Sequence, residues 1–378
     1  MAGNRHIPKL KDKAFAAWLK NRFFQVELPA DTSIERQHAA ISLVEQEILE
    51  KIMPVFLQAV VDDDREKVKA LLEEYPQLLL VKPGENYPNL VIESKLTWQQ
   101  FYAEDALTMA VKRKQIKMIE LLLPYYDKLE QTEDVIKAKE EALAAWKPYK
   151  IQKNEIVIPQ EYAALAQSLI DVFKEETFPN GVPGANGIAM NVALSEETEL
   201  ALSSLLNILV PKKAVKLDEH IDEELLLLAL YQAYIENFAA FNNDWNKLDA
   251  LCIRLMGLTQ SALIPETGEI ICEGLIDIVT AIQNGEVKEI SPDASAHRLK
   301  SGKDLYRSSR DSRSGSGFDF LCDIYAGGGP TAWPVGLSAT SMGALPLADF
   351  FEKTMSSKSN QFSEITRLAA TAKPSPSK

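Results

Sequence analysis

Ala59-Val60-Val61-Asp62-Asp63-Asp64-Arg65-Glu66-Lys67-Val68-Lys69-Ala70-Leu71-Leu72 and Ala110-Val111-Lys112-Arg113-Lys114-Gln115-Ile116-Lys117-Met118-Ile119-Glu120-Leu121-Leu122-Leu123 superimpose without a gap. Each stretch opens on a small alanine, crosses a polar tetrad, and closes on a Val or Ile followed by paired leucines. Apolar residues at helical spacing on both sides of a polar break predict two helices joined by a tight turn. A duplicated pair of this kind cannot bury its apolar face alone and must stack on a neighbour, which creates an extended surface suited to gripping another macromolecule.

The small alanine, the polar turn and the Val/Ile plus Leu-Leu set resemble the ankyrin repeat. Two departures stand out: Asp63 and Lys114 occupy the place where that family prefers Gly, and the Thr-Pro-Leu-His start is reduced to Leu107-Thr108-Met109. The distance between Ala59 and Ala110 also exceeds the ankyrin period of about 33 residues. The excess holds Pro83-Gly84-Glu85-Asn86-Tyr87-Pro88-Asn89 and Leu90-Val91-Ile92-Glu93, and implies an enlarged finger loop. Ankyrin-type binding uses fingers and inner helices, so the resemblance makes Trp98, Phe101 and Tyr102, with Lys112 and Arg113 of the second tetrad, the candidate partner-binding residues. Ordinary packing is the alternative for the three aromatics. Such arrays need about three or more units to be stable, so capping helices are expected over Ile34 to Met53, stopping at Met53-Pro54, and over Thr132 to Trp146, ended by Pro148.

The expected organisation is all-α: a short ankyrin-like helical repeat array, an irregular helical domain and a flexible C-terminal tail. Residues 1–30 read as an amphipathic segment, because Phe15, Trp18, Leu19 and Phe23 share one helical face opposite Lys13, Lys20 and Arg22. Residues 31–150 hold the repeats and caps, and 151–290 a helical domain introduced by an extended link over Asn154 to Pro159. Within it, Tyr162, Leu165, Leu169, Ile170 and Phe173 form one stripe, and Ser195 caps a helix carrying Leu202, Leu205, Leu206 and Leu209. Glu223 to Phe241 is apolar all round and reads as the central buried helix; Trp245 to Leu258 and Ile270 to Asn284 follow it. Residues 291–378 are basic and Gly-rich, then Ser/Lys/Thr-rich, and read as a largely disordered tail.

With 378 residues, 46% of them hydrophobic, the chain can bury a substantial core. A formal charge of -13 argues against an overall field that attracts nucleic acid or anionic membrane, so any such contact must be local. The best local candidate is the basic run beginning at His297, where Arg298, Lys300, Lys303, Arg307, Arg310 and Arg313 are candidate phosphate- or anion-binding residues, for an anionic membrane or a phosphate-bearing ligand. A solvated basic loop is the alternative there.

No metal or cofactor site and no catalytic set is legible. The four histidines, His6, His38, His220 and His297, never share a helical face at ligand spacing. Gly181, Gly184 and Gly187 lack both the preceding strand and the following Lys-Ser/Thr of a phosphate cradle. Cys252 and Cys272 read as core cysteines; Cys322 neighbours the glycine-rich segment. Three scattered cysteines form no disulfide framework. No signal peptide and no membrane-spanning run is expected.

The ankyrin-like pair, the Phe101-Tyr102-Ala103-Glu104-Asp105-Ala106-Leu107-Thr108-Met109-Ala110 lead into its second copy, the long helical extension and Gly317-Phe318-Asp319-Phe320-Leu321-Cys322 together resemble ankyrin-containing effectors of Legionella-type bacteria. Such effectors pass through the Dot/Icm type IV secretion system into host cells. The resemblance implies a virulence role in the host cytoplasm, a host protein as partner, and an export signal in the polar end, Met355 to Lys378. The expected function is therefore non-catalytic protein binding in a host–pathogen interaction. The alternatives are an enzyme, a transferase or hydrolase with its site in the helical C-terminal part, and a peripheral membrane-binding adaptor.

Overall fold

A computed structural model of the chain describes residues 51–83, 89–129, 131–153, 155–177, 194–241, 244, 247, 251–264, 266–268 and 341–371. These residues are mostly helical, with two very small antiparallel hairpins.

Helix α1 covers 51–61 and α2 Arg65–Glu74; α3 is Ala106–Lys112 and α4 Ile116–Lys128. The turns between α1 and α2 and between α3 and α4 match hydrogen bond for hydrogen bond. In the first, the Asp62, Asp63 and Asp64 amides donate to the Gln58, Val60 and Ala59 carbonyls; in the second, Arg113, Lys114 and Gln115 donate to Met109, Val111 and Ala110. Asp63 and Lys114 both have positive φ, 53° and 57°. A left-handed residue in the turn aims the following helix back along the first, and a Cβ there costs about 1–2 kcal/mol that glycine avoids. Packing outweighs that cost, since Val60, Val61, Val68, Leu72, Ala110, Val111, Ile119 and Leu122 are all buried. Gln115 ties the units together by donating from Nε2 to the Val60 carbonyl at 2.9 Å.

The expected stop at Met53-Pro54 is not observed: α1 continues through Pro54. Proline deletes one ladder hydrogen bond, but Met53, Phe56 and Leu57 beside it are buried, and their packing carries the helix onward. The second cap is α5, Glu133–Ala144, with Thr132 as its N-cap accepting from the Val135 amide. The finger between α2 and α3 is a hairpin, β1 (Val91–Glu93) against β2 (Gln100–Tyr102), with Ile92 opposite Phe101. The link at Asn154 to Pro159 begins as the second hairpin, β3 (Ile151–Gln152) with β4 (Glu155–Ile156).

A second core gathers α6 (Gln160–Glu175), α7 (Glu196–Leu209) and α8 (Glu223–Asn237). Ser195 and Asp222 cap the last two by accepting from the Thr198 and Leu225 amides. Helix α8 is its axis: Leu226, Leu227, Leu228, Ala229 and Leu230 are all buried, which a helix achieves only when neighbours cover every side. A short π-helical stretch, Leu251–Met256, leads into the helix Gly257–Ser261.

Within the segment expected to be a largely disordered tail, the described residues form helix α9, Ser341–Thr371. Phe351 and Met355 enter the second core, while Phe362 enters the first beside Ile365 and Ala369. A buried face at helical spacing runs along the helix through Phe351, Met355 and Phe362. The basic run with Arg298, Lys300, Lys303, Arg307, Arg310 and Arg313 lies outside the described residues, as do residues 1–50, Cys272, Cys322, His297 and residues 372–378. No helix among the described residues is long and apolar enough to cross a membrane.

Replacing Phe362 by alanine should cost about 3–5 kcal/mol, the range for emptying a buried aromatic site. Leu368→Ala, at a position 52% exposed on the same helix, should cost under about 1 kcal/mol. Urea midpoints of the two variants check the contrast.

Candidate functional site

The finger is held by the first turn. Asp62 Oδ1 accepts from both the Ser94 hydroxyl and the Lys95 amide at 2.9 Å, and Gln58 donates to the Glu93 carbonyl at 2.6 Å. Burial raises the Asp62 carboxyl above its ordinary range, against the opposing bonds from Ser94 and Lys95. On its other edge, β2 exchanges backbone bonds with Val215: the Tyr102 amide donates to the Val215 carbonyl and the Val215 amide to the Gln100 carbonyl. Strand alternation then divides the hairpin, with Ile92 and Phe101 facing inward and Val91 and Tyr102 facing out side by side. Trp98, at the tip, is 37% exposed and takes a positive φ of 58°, a conformation that costs a bulky residue on the order of 1–3 kcal/mol.

Behind the finger lies a cleft of about 400 Å³, between the duplicated helices and the second core. Gln99, fully buried, contacts two of the lining residues, Arg113 and Glu223. Its Nε2 donates to Glu223 Oε1 and to the Leu209 and Ala262 carbonyls, and its Oε1 accepts from Thr97 Oγ1 and from Arg113 Nη1. The Arg113 guanidinium lies 4.9 Å from the centroid of the Phe101 ring, and His220 meets the same ring edge-on at 5.3 Å. Nδ1 of His220 lies 2.8 Å from the Ile221 carbonyl and 3.3 Å from Glu223 Oε1, and Nε2 lies 3.2 Å from the Leu209 carbonyl.

Ion pairs stitch the cleft walls. Lys112 bridges Glu104 (2.7 Å) and Asp218 (2.6 Å), Lys147 also reaches Asp218, and Lys114 binds Asp222 while its ammonium lies 3.5 Å from the Tyr149 ring centroid. Deeper in, Glu224 accepts from Lys358 of α9 at 2.7 Å and from Tyr149 and Thr267. Burial pushes Glu224 upward, but attraction to Lys358 and Lys114 and the bonds from Lys358 and Thr267 outweigh it and hold the carboxyl at about 2.

The five candidate contacts therefore separate. Trp98 and Tyr102 are on the surface, as a partner contact requires. Phe101 is buried and Arg113 is only 7% exposed, so neither touches a partner: β2 turns Phe101 inward, and the second turn aims Arg113 at Gln99. Lys112 has its ammonium occupied by two carboxylates. Sequence reasoning missed Gln99, Tyr149, Glu223, Glu224 and Lys358, which meet across more than sixty residues of chain and have no local signature. Among the described residues no group of three His, Cys, Asp or Glu is placed to hold a metal ion. Comparison with protein-family models, with curated proteins and with solved structures finds no match.

Asp62→Ala should free the finger from the first turn, speeding hydrogen exchange at Lys95 and its neighbours while leaving the α8 amides protected. Glu224 gives a pH signature. The unfolded carboxyl takes up its proton near 4.5 and the folded one at about 2, so stability contributed by the ion pair is present above 4.5 and lost as pH falls toward 2. Glu224→Gln should lower the unfolding free energy at pH 7 by about 3–5 kcal/mol, as for a broken buried pair, and flatten the fall of the urea midpoint between pH 5 and 3.

Proposed function

We propose that this chain is a non-catalytic protein-interaction module that presents its finger to a partner protein. The observation that carries the reading is the two-faced hairpin: Ile92 and Phe101 anchor it in the core while Val91, Tyr102 and Trp98 crowd the outside. Aromatic residues supply most of the binding energy at protein interfaces, and here they stand on a loop fixed by Asp62 and Gln58, so little ordering cost accompanies binding. The ankyrin-like reading draws support from the two matched turns, whose left-handed Asp63 and Lys114 occupy the places where that family uses glycine. A finger projecting between paired helices is the geometry that reading requires. The resemblance to Legionella-type effectors extends the proposal to delivery into a host cell, with a host protein as the partner. The enzyme alternative has one observation on its side: His220 lies on the cleft wall with Nδ1 3.3 Å from Glu223 Oε1.

Proximity labelling in host cells, followed by capture of the labelled partner on purified protein, tests the proposal. Trp98→Ala with Tyr102→Ala should weaken capture by more than about 2 kcal/mol, the size of a hot-spot loss, with an unchanged thermal midpoint. Lys112→Ala should do the opposite, lowering the midpoint and leaving capture intact. Undiminished capture by the double variant would remove the finger from the interface.

A further inference from the structure

Helix α7 has a buried side and an outer one. Thr198, Leu202, Leu205 and Leu209 are buried, while the opposite side carries Leu200, Ser203, Ser204, Asn207 and Ile208, all exposed. Leu200 is 67% exposed, the largest fraction for a bulky apolar residue among those described. Leu200, Ser204 and Ile208 stand four apart, which aligns them as one ridge along the helix. A ridge with a small residue between two apolar ones is shaped to cross another helix closely. The Ser204 hydroxyl already donates to the Leu200 carbonyl of its own helix at 2.9 Å, so covering it leaves no donor unmet.

Charge at the two ends says what crosses it. Glu196 and Glu197 open the helix, and Lys212 and Lys213 follow its end. All four are exposed and form no ion pair among the described residues, whereas Glu199 is taken by Arg254 at 3.0 Å. A complementary partner needs an apolar helix face with acid at its start and base past its end, running the opposite way. The α7 of a second copy is such a face. With a two-fold axis beside Ser204, each residue meets the one equally far along on the other side: Leu200 meets Ile208, Glu196 meets Lys212, and Ser204 meets itself. Lys212 lies past the C-cap Val210, and its flexible stem supplies the remaining reach. Antiparallel crossing also sets the positive start of each helix dipole beside the negative end of the other. A net charge of -13 on each copy opposes association at long range, so the contact depends on these local pairs.

We propose that α7 pairs with α7 of a second copy of this chain, antiparallel about a two-fold axis at Ser204. Leu200 packs on Ile208 across the axis, and Glu196 and Glu197 face Lys212 and Lys213. None of these residues belongs to the finger, so this pairing and the proposed partner contact are separate properties.

A single helix crossing buries less than the roughly 800 Å² per partner of a standard interface, so a dissociation constant on the order of 10 µM is expected. Sedimentation equilibrium of the full chain at about 100 µM should therefore show mostly dimer. Leu200→Glu should weaken association at least about tenfold while leaving the urea midpoint unchanged, because the side chain lies outside the core. Lys212→Glu with Lys213→Glu should give monomers, as should Glu196→Lys with Glu197→Lys, and the two double variants should pair when mixed. Trp98→Ala with Tyr102→Ala should leave the dimer intact, which separates a failure here from a failure of the finger. A monomer at that concentration, a dimer indifferent to Leu200→Glu, or charge-reversed variants that do not pair when mixed overturns the proposal.

Discussion

Phe362 lies flat on Trp146, ring centroids 4.0 Å apart and planes within 7°, and this stack fastens the C-terminal helix to the duplicated helical unit. One end of α9 packs Phe351 and Met355 against α8, and the other carries Phe362, Ile365 and Ala369 onto α4 and Trp146. Two cores that are contiguous in sequence only through the 144–160 segment are thereby held by a third element contributed from the far end of the chain. A pair of helical hairpins leaves apolar surface open at its ends, and α9 with α5 covers the part that a further repeat would otherwise cover.

The same helix sets the electrostatics of the seam. Lys358 arrives beside Glu224, where an unpaired carboxylate could not remain ionised, and Tyr149 and Thr267 occupy its remaining lone pairs. Buried pairs of this kind are weak contributors to stability when judged against an apolar replacement, yet severing one is costly. Lys114 to Asp222, Lys112 to the half-exposed Asp218, and the Gln99 amide to Glu223 are further polar contacts across the seam. Each joins a residue near the second turn or the finger to the start of α8 or the turn before it. Lys358 and Glu224, both nearly fully buried, fix the register most firmly, because a slip would strand their charges away from water.

The finger and the cleft are two products of one polar tetrad. In the first copy, Asp62 reaches outward to hold Ser94 and Lys95; in the second, Arg113 at the same place turns inward onto Phe101 and Gln99. One turn geometry, with opposite charges at equivalent positions, gives a surface loop on one side and a buried donor on the other. Trp98 held at positive φ shows that the finger's shape is imposed by its anchors rather than by its own preference.

The helical stretches, the Ser195 cap and the duplicated turn were legible in the sequence, because they depend on periods of three to four residues and on single side chains. The all-round apolar run at Leu225 to Leu230 likewise announced a central helix, since no surface helix tolerates it. Which finger aromatic is buried was not legible: Phe101 and Tyr102 are adjacent and chemically alike, and only the pairing with β1 and Val215 assigns one to each face. The docking of α9 was not legible for a related reason, as its buried face is sparse and becomes apolar surface only once Trp146 and α8 are there to meet it. Local sequence determined what each segment becomes. Tertiary structure alone decided which charges meet, because Arg113, Glu223, Glu224 and Lys358 acquire partners through contacts that span tens to more than a hundred residues, and no short-range pattern encodes them.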